Sequence, residues 1–232
     1  MQVCRNCGTS GFGNYCSQCG QPYRVRRISL HSLLHDVFHL FTHLDRGFGY
    51  TLKKLVVSPG HMQRTYIEEE RIRHQKPFSM FFICATLAGL VRYWISEVLL
   101  RYYDSGSISE AKFFHEYMVL FHIALLPVYV LITYLIFRKS AYNYAEIGVL
   151  MLYMTSFFFI VSILISLLKF LWPHLDTAYI ELPVLAIYNA ITFINFFQRS
   201  SPLIVVVKST ITILIIFLLI QVVEDYVIRL VA

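Results

Sequence analysis

The chain has 232 residues, of which 57% are hydrophobic and 15% charged, with a mean hydropathy of +0.59 and a net charge of +6. A soluble domain cannot hide that much apolar surface, so the composition excludes an ordinary soluble globule and points to an all-α polytopic membrane protein. The basic excess, which in a soluble protein would suggest nucleic acid, is better assigned to lipid headgroups and orientation, leaving nucleic acid the lesser reading.

Residues 1–20 are polar, Gly-rich and Cys-bearing, unlike a cleavable signal peptide, so this segment is expected to stay attached. They contain two CxxCG knuckles, Cys4-Arg-Asn-Cys7-Gly8 and Cys16-Ser-Gln-Cys19-Gly20. Four thiolates so spaced can surround one Zn²⁺ tetrahedrally, each following Gly supplying the positive φ that such turns require. With every position filled by protein, Cys4, Cys7, Cys16 and Cys19 form a structural zinc site in a zinc-ribbon module over residues 1–24, with no open position for catalysis. Two disulfides would need an oxidising compartment, and a thioredoxin-like role would need a strand and a helix around one CxxC. Cys84 lies in an apolar run and reads as a small buried hydrophobe.

Residues 25–76 are expected to form cytoplasmic or interfacial amphipathic helices. From Ser29 to Arg46, Leu30, Leu33, Leu34, Val37, Phe38, Phe41 and Leu44 share one helical face, while His31, His35, His39 and His43 line the other. Neighbouring pairs of this ladder are close enough to chelate a metal, but the row climbs about 18 Å at 1.5 Å per residue, too far for one ion. A solvated face that uses histidine is the plainer reading; a weak secondary metal site or a pH-sensing surface near the bilayer is the sharper one. Tyr50 to Val57 reads as a short helix broken by Ser58-Pro59-Gly60, followed by a charged stretch, His61 to Lys76, in which Glu68, Glu69 and Glu70 are expected to make intrahelical salt bridges.

The membrane region spans residues 77–232, with five spans near 78–100, 115–137, 146–169, 178–198 and 202–222, each long enough to cross about 30 Å of hydrocarbon. The second and third are clearest, since no Asp, Glu, Lys or Arg lies between Glu116 and Arg138 or between Glu146 and Lys169. The basic N-terminal segment, Arg138 with Lys139, and Arg199 fall on alternate turns, which places the N-terminus in the cytoplasm and the C-terminus outside. Polar residues inside spans are costly, and Arg92, His115, His122 and Lys208 mark a possible intramembrane site, with Glu97, Glu116, Asn189 and Asn195 beside them. In a structural bundle they would bond between helices or snorkel to the interface. No HExxH, GxSxG or phosphate-loop motif is present, so no catalytic residue is assigned.

The paired knuckles, then Leu44-Asp45-Arg46-Gly47, Thr51-Leu52, Ser58-Pro59-Gly60, Tyr66-Ile67, Arg71 and Lys76-Pro77-Phe78 ahead of a membrane bundle, resemble a bacterial family of zinc-ribbon membrane proteins known only as a domain of unknown function. The resemblance covers about residues 4 to 90 and implies an inner-membrane location, but no activity. Where that pattern has a Gly before its basic pair, this chain has Glu69. Three functional classes follow: a membrane-anchored adaptor or assembly module that docks a protein through its zinc site, a channel or transporter acting as a homo-oligomer, and an intramembrane enzyme.

Overall fold

The computed structural model of the chain describes residues 1–24, 27–33, 47–102, 108–172, 175, 177–198 and 200–231. Its order is a two-stranded antiparallel hairpin, β1 (Gln2–Val3) and β2 (Ser10–Gly11), then α1 (Phe48–Val57), α2 (His61–Glu68), α3 (Pro77–Tyr102), α4 (Ile108–Ile136), α5 (Tyr144–Ser166), a 3₁₀ turn at Leu167–Phe170, α6 (Ala178–Phe196) and α7 (Pro202–Val231). Helices α3 to α7 are long and apolar enough to cross a membrane, over Pro77–Leu99, Val119–Ile136, Tyr144–Phe170, Tyr179–Phe196 and Pro202–Val223. These are the five spans expected from hydropathy, within a few residues.

Among the spans, α5 is the hub. It is the one covered most by protein, 72% against 17% for α7, because α1, α2, α3, α4 and α6 all pack on it. Its surface offers rings to its neighbours: Phe159 packs on Phe81 of α3, and Phe157 stacks on Tyr188 of α6 at 3.7 Å. Its hydroxyls cause no penalty, since Thr155 and Ser156 donate to the carbonyls of Met151 and Leu152 four residues back. The helix starts at a capping box in which Asn143 Oδ1 accepts the Glu146 N–H and the Glu146 carboxylate accepts the Asn143 N–H, as Asn-x-x-Glu allows.

The α1–α2 hairpin sits against the bundle, and its glycines explain the fit. Gly60 has φ +82°, and a Cβ there would press on the C-terminal turn of α6, 2.6 Å from Asn195 Cβ and 2.9 Å from Phe196 N. A Cβ on Gly47 would strike the passing strand of chain at Gln75 N, 2.8 Å away. That strand is gripped from both sides: Gln75 N–H donates to Thr51 Oγ1 (2.8 Å), and its carbonyl accepts the Tyr153 hydroxyl (2.5 Å).

The expected ladder of glutamates is only partly formed. Helix α2 ends at Glu68, so Glu69 and Glu70 lie beyond it; Arg64 pairs with Glu68 at 3.7 Å. Arg71 caps α2, donating to the carbonyls of Tyr66 (3.2 Å) and Ile67 (2.9 Å).

The N-terminal segment, the α4–α5 turn and the α6–α7 turn meet at one end of the bundle. Arg27 donates to both carboxylate oxygens of Glu146 and to the Ala141 carbonyl, Asn143 Nδ2 donates to the Ile28 carbonyl, and Gln198 contacts both Arg64 and His61. This is the arrangement that alternating spans require.

Candidate functional site

The two knuckles fold alike. Cys4 N–H bonds to Thr9 O and Gly8 N–H to Cys4 O; the same two bonds recur as Cys16 N–H to Gln21 O and Gly20 N–H to Cys16 O. Gly8 and Gly20 carry φ +74° and +75°, which closes each turn so that both of its sulfurs face the other turn. The Sγ atoms of Cys4, Cys7, Cys16 and Cys19 lie within 4.8 Å of one another, Cys4 to Cys19 at 3.6 Å and Cys7 to Cys16 at 3.5 Å, and no disulfide joins them. The set can bind a metal ion. The Thr9 hydroxyl and backbone hold the Cys7 thiol down to about 6. Cys4 is pushed up to about 11: the bond from the Cys7 backbone lowers it, but desolvation and the Cys19 and Cys7 thiols outweigh that pull.

The module is anchored. Arg5 Nη1 donates to the Glu68 carbonyl (3.2 Å) and Gln21 Nε2 to the Glu69 carbonyl (2.8 Å), so its side chains satisfy carbonyls that the end of α2 leaves open. The residue at position 69 therefore serves the module through its backbone. Val3, Phe12 and Tyr15 of the module are exposed.

That docking turn belongs to a recognisable segment. Residues 45–89 match the family model described as Protein of unknown function (DUF3667). No curated protein and no solved structure matches the chain. The DUF3667 segment comprises α1, α2, the 69–76 connection and the first half of α3, and the contacts above account for its Gly47, Thr51, Gly60 and Arg71. Within it His74 is buried between the rings of Tyr50 (5.1 Å) and Tyr66 (6.2 Å). Burial, then the charges of Lys54 and Arg73, push its imidazole down to about 4.

A second polar centre lies inside the bundle. Arg92 of α3 reaches Glu181 Oε1 of α6 at 3.3 Å, and Ser162 of α5 donates to the same oxygen (3.1 Å) while accepting from Arg92. Both charged residues are buried, so of the two courses expected Arg92 takes the first, bonding between helices rather than snorkelling. Glu181 also lines a cavity of about 610 Å³ between α4, α5, α6 and α7, together with His122, Thr155, Asn189, Thr212 and Gln221. His122 stacks on Phe158 at 4.8 Å.

Among the described residues, Lys208, Glu97, Asn195 and Cys84 do not line this cavity. Lys208 lies with Nζ 5.4 Å from the centre of the Phe137 ring, and Glu97 pairs with Arg101 one turn on, at 3.0 Å. Asn195 donates to the Pro59 carbonyl (2.9 Å), and Cys84 is buried. His31 is exposed; His35, His39 and His43 lie outside the described residues, as do the side chains of His115 and Glu116. Glu181, which completes this centre, is not among the polar residues singled out from the sequence. A signal was present: Arg92 is 15 residues from the start of α3 and Glu181 is 15 from the end of α6, which in antiparallel spans is the same depth.

Proposed function

We propose that the chain is a non-enzymatic, membrane-anchored assembly or regulatory module of the bacterial inner membrane, which presents a structural zinc site to a protein partner in the cytoplasm. The observation that carries this reading is the anchored module itself: fastened through Arg5 and Gln21 to α2, it leaves the apolar side chains of Val3, Phe12 and Tyr15 exposed. Zinc is favoured by its fit, because a tetrahedral ion with sulfurs at 2.3 Å separates them by about 3.8 Å, close to the 3.5 and 3.6 Å of the two nearest pairs. Zn²⁺ there would hold the two knuckles together through Cys4, Cys7, Cys16 and Cys19. The cytoplasmic placement is supported by Arg27, Arg64 and Lys139, which gather at the module's end of the bundle.

A channel or transporter is the second reading, favoured by the cavity beside Glu181. The test takes the purified 232-residue chain and its Cys16→Ser, Cys19→Ser variant. One zinc per chain, lost in the variant, with no current in planar bilayers, and a single crosslinked product in cells from a photoreactive residue at Phe12 but not at Lys53, supports the module. Zinc-independent current moves the function into the helices.

A further inference from the structure

We infer that the cavity between α4, α5, α6 and α7 is a binding site for a single-chain lipid with an uncharged hydroxyl head. The inference stands on the cavity alone and holds whether or not the zinc module docks a partner. Its walls are mostly apolar, with Met151, Met154, Leu185, Ile213 and Ile216 among them. The helices that flank it, α6 and α7, are covered by protein over only 28% and 17% of their spans, so the cavity borders the bilayer's acyl chains. At about 30 Å³ per heavy atom, the share of a water molecule in the liquid, the 610 Å³ takes roughly twenty heavy atoms. That is one chain with its head, not a two-chain phospholipid.

The polar groups choose the head. Both bonds to Glu181, from Arg92 and from Ser162, use Oε1, and Oε2 has no partner among the described residues. The half-buried Asn189 amide, two helical turns away on the same cavity wall, also makes no hydrogen bond among the described residues. In a hydrocarbon medium such groups require either a ligand or water. A hydroxyl donates to Glu181 Oε2, and the site accepts it without altering charge. An acid or phosphate head would stand beside the Glu181 carboxylate with the nearby cation, Arg92, already committed to it. A cationic amine would compete with Arg92 for the same carboxylate and leave the guanidinium uncompensated.

The experiment uses the full chain in phosphatidylcholine nanodiscs and three photoreactive, clickable probes of equal chain length: a hexadecanol, a palmitic acid and a phosphatidylcholine. Saturable labelling is expected from the alcohol alone, mapped to α6 and α7 and competed by plain hexadecanol. Ala186→Trp, which fills the cavity, is expected to abolish it. Ile213→Trp, which fills the cavity from α7, is expected to do the same and serves where Ala186→Trp fails to give a monodisperse protein. Labelling that never saturates, that spreads equally to the outer face of α3, that the acid or phospholipid probe matches, or that survives both substitutions overturns the assignment.

Discussion

The guanidinium of Arg27 holds Glu146 by both carboxylate oxygens, at 2.8 and 3.0 Å, and so ties the N-terminal segment to the first turn of α5. The same carboxylate closes the Asn143 capping box. Arg27 is 62% exposed, so solvent discounts the pair. Arg27→Ala should cost about 1 kcal/mol. Glu146→Ala should cost more, since a cap worth about 1 kcal/mol is lost with it. Thermal unfolding in detergent ranks the two; equal midpoints would show that the cap and the pair are not shared through Glu146.

Arg92 and Glu181 should behave as a coupled pair. Removing either leaves a buried charge alone, so Arg92→Leu or Glu181→Leu is expected to cost about 3–5 kcal/mol. The double variant leaves no charge behind and should recover most of that loss. A double-mutant cycle by reversible unfolding measures the coupling, and additive losses would mean that the two do not depend on each other.

Two glycines of the hairpin make a matched comparison. Gly60→Ala places a Cβ at φ +82° against α6 and should cost several kcal/mol, of the order that strain and overpacking reach together. Gly49→Ala meets nothing within 4 Å inside helix α1 and should be neutral or stabilising by up to about 1 kcal/mol. Expression and midpoint of the two variants, side by side, decide whether the hairpin packs on α6 as described.

His74 predicts a pH dependence. Its imidazole is ordinary in the unfolded chain, near 6.5, and lowered to about 4 in the folded one. Above 6.5 neither state holds the proton and stability is complete. As pH falls from 6.5 towards 4 the unfolded chain takes up the proton first, so stability declines, by about 3 kcal/mol at most. His74→Gln should flatten that part of the profile; an unchanged slope would place its origin elsewhere.

The metal module gives the simplest removal experiment. Stripping the ion with a chelator, or Cys16→Ser with Cys19→Ser, should loosen residues 1–24 and release the Glu68 and Glu69 carbonyls to water, so that the end of α2 frays and the Glu69 and Glu70 amides exchange faster, while the spans stay helical. Hydrogen exchange on peptides covering Arg64–Arg71 reads this directly, and protection that survives metal loss would mean that the Arg5 and Gln21 contacts stand without it.

What the sequence by itself determined is whatever depends on near neighbours in the chain. Hydrophobic runs of about twenty residues set the five spans because unpaired backbone cannot remain in hydrocarbon. The CxxCG spacing brought four sulfurs together because two local turns, each closed by a glycine, do most of that work. The capping box of Asn143 and Glu146 joins residues only three apart. What only the tertiary structure decided depends on pairs far apart in sequence: that Arg92 meets Glu181 rather than water, that α5 and not α7 is the core, and that Gly60 is needed by α6. The physical reason is that helices of similar apolar character carry no label for their neighbours. Which faces meet is set by the packing of rings, glycines and a few buried polar groups, and those pairings exist only once the bundle is assembled.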